Sequence, residues 1–257
     1  MEKKLVLSRG GLQIPCKVSA PDYGDIRRLV LGVHGLGGST EDEIQVGIAE
    51  EMELFYSATF RFDFPGHGQS PESELTLEGS LDSLMAVAEY ARAQYPEVED
   101  LCIFATGFGA YVTLIALDQL LELPGRVKLV VQTPSVMMHE TLLAMKHLTE
   151  PTLKAMERTT FARLIRPFDV TYHFYEELED NLALTTYPIP MLILHGEEDA
   201  YIKMEHIQHF RRINDQAKLV IIPGTSHRFL EDGAWDMVLD LTRDWFEFEQ
   251  VLVTDWE

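Results

Sequence analysis

A histidine, a carboxylate and three glycine-rich turns are the parts of this chain that could do chemistry. His227 closes the run Pro223-Gly224-Thr225-Ser226, and Asp199 closes the run His195-Gly196-Glu197-Glu198. A carboxylate behind an imidazole orients the ring and stabilises its protonated form, which makes a general base. Upstream stand His34-Gly35-Leu36-Gly37-Gly38, Asp63-Phe64-Pro65-Gly66-His67-Gly68-Gln69-Ser70 and Ala105-Thr106-Gly107-Phe108-Gly109. Main-chain N–H groups in such turns can stabilise an oxyanion. Taken singly, each glycine cluster is a turn, each histidine a structural one, and Asp199 a turn cap.

Every one of these segments follows a run of β-forming residues. Strands are expected at 29–33, 58–62, 101–105, 127–131, 191–194 and 219–222, after an antiparallel pair over 3–20 that turns at Arg9-Gly10-Gly11. Helices are expected between them: 41–54 with Ser39 or Thr40 as cap, 76–95 with Thr76 as cap, 109–121, and an amphipathic 233–252. This alternation is the pattern of a parallel sheet covered by helices. Ligands of such sheets bind outside the carboxyl ends of the strands, where all the segments above lie.

The rhythm breaks over residues 136–187, which carry Met137, Met138, Met145, Met156 and the aromatics Phe161, Phe168, Tyr172, Phe174 and Tyr175. Residues 139–157 read as helix, and Phe161 to Tyr172 as a hairpin around Arg166-Pro167. The segment reads as a cap inserted over the sheet edge. The plainer reading makes the same apolar residues ordinary core.

The five loops in this order resemble the α/β-hydrolase superfamily, and within it the small-capped bacterial esterases and monoglyceride lipases, including feruloyl esterases. The resemblance spans nearly the whole chain, most strongly 29–115 and 191–229. It implies a mostly parallel sheet of about eight strands with helices on both faces. Residues 1–135 and 188–257 would form the core and 136–187 the cap. It also implies acyl transfer by a nucleophile, an acid and a base in that chain order. His227 matches the base and Asp199 the acid, with Glu198 as the alternative acid. The backbone N–H groups of Leu36 and Phe108 match the oxyanion donors, while His34, His67 and His195 match structural histidines. No metal or cofactor is expected, and the ligand would be a small-molecule ester.

One position departs from the pattern. The family's elbow is G-x-S-x-G, and its centre is Gly107 here. Moving the centre to Thr106 would set Phe104 and Phe108 where strand and helix nearly touch, so Thr106 does not replace the serine. Cys102 lies mid-strand, too far from the carboxyl end at about 3.3 Å per residue. Glycine tolerates the positive φ that the elbow demands. Natural decay and deliberate substitution both produce such a residue. Three readings follow: an ester hydrolase by descent, a non-catalytic ligand- or partner-binding protein, or chemistry that the His227–Asp199 pair performs without a nucleophile.

Composition narrows the field. The 257 residues are 46% hydrophobic and 25% charged, which suits a globular chain rather than a disordered one. The net charge of −21 has the wrong sign for binding nucleic acid or an anionic membrane. No stretch approaches the ~20 apolar residues of a membrane span, and the first residues show no signal-peptide pattern. The two cysteines, Cys16 and Cys102, sit in apolar strand-like runs and are expected as reduced thiols. The cytoplasm is the expected compartment.

Overall fold

Two consecutive glycines start the fold. The computed structural model describes residues 2–72, 74–161 and 167–250. In it Gly10 and Gly11 have φ of +57° and +89°, the positive pair that a two-residue hairpin turn requires. β1 (Glu2–Arg9) therefore returns as antiparallel β2 (Leu12–Ser19), with Leu5 opposite Cys16. The chain continues through β3 (Arg28–Val33), α1 (Glu43–Leu54), β4 (Ser57–Phe62), α2 (Leu77–Gln94), β5 (Asp100–Thr106), α3 (Gly107–Ile115), α4 (Leu117–Leu121) and β6 (Arg126–Gln132). Next come α5 (Met138–Lys146), α6 (Glu150–Met156), β7 (Arg158–Phe161), β8 (Phe168–Thr171) and α7 (Tyr172–Asp180). The last elements are β9 (Met191–Gly196), α8 (Met204–Ile213), β10 (Ala217–Ile222) and α9 (Ala234–Phe248).

Eight strands form one sheet in the order β1-β2-β4-β3-β5-β6-β9-β10, parallel from β4 onward. This is the α/β-hydrolase arrangement. The step from β3 to β4 runs one way along the sheet, and the step from β4 to β5 runs back past β3. Right-handed crossovers in opposite directions must place their helices on opposite faces. Accordingly Ile48 and Met52 of α1 pack with Val30, Cys102 and Phe104, and α9 adds Val238, Trp245 and Phe246 there. Leu84 and Ala88 of α2 pack on the other face with Leu29, Leu31 and Ile103, joined by α3, α4 and α8. Both faces are covered, so the central strands are apolar at nearly every position. In open parallel sheets ligands bind beyond the carboxyl ends of the strands at such a reversal, and His34 and Gly107 directly follow those ends of β3 and β5.

The segment between β6 and β9 adds nothing to this sheet. Its β7 and β8 form a separate two-stranded sheet, with Phe161 opposite Phe168. It rests on the loop after β4, where Asp169 bridges Glu74, and on α3, whose Tyr111 hydroxyl donates to the Asn181 carbonyl (2.7 Å). The hairpin's expected turn at Arg166 lies outside the described residues, as do positions 251 and 252 of the expected last helix. Among the described residues, no helix is long and apolar enough to cross a membrane. Cys16 and Cys102 are buried free thiols, and burial pushes the Cys16 pKa up to about 12.

Several expectations need correction. The helix expected over 139–157 is two helices, because His147 takes a left-handed conformation (φ +53°) between them. The helix expected from Gly109 starts at Gly107 and breaks at Ala116 (ψ 0°). Neither Ser39 nor Thr40 caps α1. Asp42 holds that position, while the Thr40 N–H donates to Asp63 (2.7 Å). Thr76 does cap α2, accepting from the Gly79 N–H (3.1 Å). α7 and α8 were not expected. α8 carries Met204, Ile207, Phe210 and Ile213 at three-residue spacing among mostly polar residues, and Ile207 and Phe210 are buried.

Helix α3 and strand β3 touch backbone to backbone at Gly109. A Cβ there would fall 2.4 Å from the His34 carbonyl oxygen and 2.6 Å from that of Val33. Gly109→Ala should therefore cost about 3 kcal/mol or more in urea unfolding. Gly224→Ala, where φ is +60° but no atom lies within 4 Å of the added Cβ, should cost only about 1–2 kcal/mol.

Candidate active site

The β5–α3 turn has the geometry of a nucleophile elbow without the nucleophile. Gly107 opens α3 with φ of +49°, and a Cβ built on it would meet only the Cα of Gly35, at 3.9 Å. The backbone is thus in the region where an L-residue is strained, and the space for a side chain is open. Thr106 lies on the strand side of the turn, and an added Cβ at Gly35 would be 3.4 Å from its Oγ1. Cys102 is fully buried inside β5, and burial raises its thiol pKa well above the ordinary value. It offers no thiolate.

Two backbone donors face the same region. The Gly38 N–H donates to the Gly35 carbonyl (3.0 Å), closing a turn in which Gly37 has φ of +76°. Leu36 occupies that turn, and among the described residues its N–H has no hydrogen-bond partner. The Phe108 N–H lies in the first turn of α3, where helices have no internal acceptor, and among the described residues it too has no hydrogen-bond partner. The amino end of α3 adds a partial positive charge beside them. The Phe108 side chain is buried and packs edge-on against Phe64 (5.4 Å between centroids), which orients the start of the helix.

The carboxyl ends of β9 and β10 supply the acid–base pair. The loops cross so closely that a Cβ on Gly196 would fall 2.4 Å from the Thr225 carbonyl oxygen. The Glu198 N–H donates to that carbonyl (2.9 Å). This crossing brings His227 Nδ1 to 2.8 Å from Asp199 Oδ2. The other oxygen, Oδ1, accepts the backbone N–H groups of Tyr201 (2.9 Å) and Ile202 (3.0 Å). Burial alone would raise the Asp199 pKa. The His227 hydrogen bond and charge, with the two N–H donors, outweigh burial and hold the carboxyl below its ordinary value. Glu198 is exposed and makes no contact with the imidazole, so the geometry selects Asp199.

His227 Nε2 has no partner among the described residues, and the ring is partly open to solvent. The Tyr201 ring meets the imidazole edge-on at 5.2 Å and 88°. Sequence reasoning missed Tyr201. The available signal was the Asp199-Ala200-Tyr201-Ile202 order, in which a carboxylate accepts N–H groups two and three residues on. His195 is fully buried at the end of β9, with neither ring nitrogen hydrogen-bonded among the described residues. Burial lowers its pKa, so it is a neutral core histidine. Among the described residues, no cluster of three or more His, Cys, Asp or Glu side chains could hold a metal ion.

No curated protein sequence matches this chain. A model of the alpha/beta hydrolase family matches residues 30–241. Among solved structures, the chain is similar to Est1E from Butyrivibrio proteoclasticus with ferulic acid bound. The TM-score is 0.80 at 21% identity, covering 96% of this chain and 98% of that one. It is also similar to mouse alpha/beta hydrolase domain-containing protein 10, with TM-score 0.74, 15% identity and coverage of 96% and 100%. The esterase domain of a Rhodothermus marinus protein gives TM-score 0.70 at 17% identity, covering 95% and 97%. At these identities the likeness is one of fold.

The depressed Asp199 pKa makes a stability prediction. The unfolded carboxyl titrates near 3.8 and the folded one below it. Its stabilising contribution is therefore complete above pH 3.8 and is lost as pH falls through the folded value. The unfolding free-energy difference between the protein with Asp199 and Asp199→Asn should be constant from pH 5 to 7, about 2 kcal/mol. It should shrink steadily below pH 4, measured by urea titration at each pH.

Proposed function

The chain belongs to the alpha/beta hydrolase family, and from that premise we propose that it is a carboxylic-ester hydrolase by descent whose site binds small esters but forms no acyl-enzyme. The observation that carries this reading is the 2.8 Å His227–Asp199 pair, kept on the same sheet end as a left-handed, side-chain-free Gly107. A protein that only held a ligand would have no use for a buried carboxylate aimed at an imidazole. A serine esterase would need the hydroxyl that Gly107 lacks.

In this reading an ester carbonyl lies across the crevice with its oxygen at the Leu36 and Phe108 N–H groups. Both are main-chain donors and do not depend on the residue at 107. They would polarise the carbonyl as charge develops on oxygen. His227, oriented through Nδ1 by Asp199, presents Nε2 as the base. With serine at 107, Nε2 would take the hydroxyl proton, the oxygen would attack the carbonyl carbon, and the same proton would pass to the leaving alkoxide. With glycine, the attack has no protein atom to start from. Residues 136–187 act as the cap in this reading, and its apolar and aromatic side chains favour an apolar or aromatic acyl group. The ferulic acid bound by Est1E is of that kind.

The test is Gly107→Ser. The protein with Gly107 should turn over p-nitrophenyl acetate and butyrate at a rate close to background. Gly107→Ser should raise turnover by at least about 10³-fold, with an initial burst from acyl-enzyme formation. The strained φ should cost roughly 1–3 kcal/mol of stability. Gly107→Ser combined with His227→Ala should return to background. A folded Gly107→Ser protein that stays inert on a broad ester panel would sink the hydrolase lineage of the site and favour the ligand-binding reading. Fast, His227-dependent turnover by the protein with Gly107 would instead favour chemistry without a nucleophile.

A further inference from the structure

Two buried histidines lie beside the acid–base pair's site and take no part in it. His34 Nδ1 is 2.8 Å from the Gly35 carbonyl, and its Nε2 accepts the Phe64 N–H (3.2 Å). His67 Nδ1 is 2.9 Å from the Pro65 carbonyl, and its Nε2 accepts the Gly37 N–H (2.8 Å). A carbonyl only accepts and an amide N–H only donates, so both rings are neutral with the proton on Nδ1. The Gly35 carbonyl and the Leu36 N–H belong to one planar peptide unit, and His34 holds that plane. The next plane, Leu36 to Gly37, is held by His67. The direction of the Leu36 N–H is thus set by two imidazoles.

His67 is also the end of a column of rings that comes from the inserted segment. The His34 and His67 centroids are 5.2 Å apart, and Phe168 of β8 lies 4.3 Å from His67, tilted 35°. Phe161 of β7 stacks on Phe168 at 5.2 Å and 12°, and Lys146 Nζ of α5 sits 4.8 Å over Phe161. Of this column, only His34 and His67 lie outside the inserted segment. The hairpin is seated beside them by the Glu74–Asp169 bridge.

We propose that His67 is a positioning residue that couples the β7–β8 hairpin to the oxyanion turn, so that a seated Phe168 keeps the Leu36 N–H aimed. The proposal rests on Leu36 being an oxyanion donor. The Phe168 ring lies 4.3 Å from the His67 ring, so this face is where the inserted segment can act on the imidazole.

The test is amide hydrogen exchange by NMR on the full chain. Phe168→Ala keeps the His67 acceptor and removes the ring against it. It should speed exchange at Gly37 by at least about tenfold, the loss of one buried hydrogen bond, while Ile103 in β5 stays unchanged. His67→Phe keeps a ring and removes the acceptor, and should speed Gly37 equally with Phe168 in place. If Phe168→Ala unfolds, Phe168→Leu serves, with a smaller rise expected. Unchanged Gly37 exchange in the folded Phe168 variant overturns the coupling. Rapid exchange at Ile103 as well overturns it too, since the effect would then be global. The reading of Leu36 fails separately. In the Gly107→Ser background, the Phe168 variant should lower kcat on p-nitrophenyl butyrate more than it raises KM. Faster Gly37 exchange with kcat unchanged leaves the coupling standing and removes Leu36 from the oxyanion site.

Discussion

Where α3 begins, its backbone touches the end of β3: a Cβ at Gly109 would lie within van der Waals exclusion of two carbonyl oxygens. Much of the site follows from this contact. A helix that starts so close to its neighbouring strand leaves the preceding strand no room for a relaxed turn. The chain reverses at Gly107 with φ of +49°, and the first N–H groups of α3 have no acceptor within the helix. The same closeness brings Gly35 over the turn. The Leu36 and Phe108 donors are therefore products of main-chain packing, and they persist whatever side chain stands at 107.

The second half of the site is built by electrostatics. A buried carboxylate is costly unless its oxygens are satisfied. Asp199 meets that condition with three donors: the Tyr201 and Ile202 N–H groups on one oxygen and the His227 ring on the other. In a chain with net charge −21, a local donor set has to hold this ionised group, because the general field disfavours it. The crossing of the loops at Gly196 and Thr225 brings the histidine close enough to be one of those donors.

Glycine at 107 separates two properties that a serine would join. Serine there would carry both the strain of positive φ and the attacking oxygen. Glycine removes both and leaves the orienting carboxylate, the free Nε2 and the backbone donors in place. The turn that carries Leu36 has its own support in His34 and His67, and the rings that back His67 belong to the inserted segment.

The sequence by itself determined the class of the fold and which loops matter. Alternating apolar strands and amphipathic helices read directly as a covered parallel sheet. Gly10-Gly11, Thr76 and the Gly107–Gly109 turn were legible because each is a local conformational demand that only certain residues meet. His227 and Asp199 were legible as loop residues at strand ends. Tertiary structure alone decided their pairing, because 28 residues separate them and only the crossing of two loops sets that distance. It also decided between Asp199 and Glu198, neighbours that differ only in which way the turn points them. The break at His147 and the start of α1 at Asp42 were hidden for a related reason. Each depends on what the rest of the molecule places against the segment, and the residues themselves carry no period that reports it. The column from Phe161 to His34 joins residues more than a hundred positions apart, and packing alone assembles it.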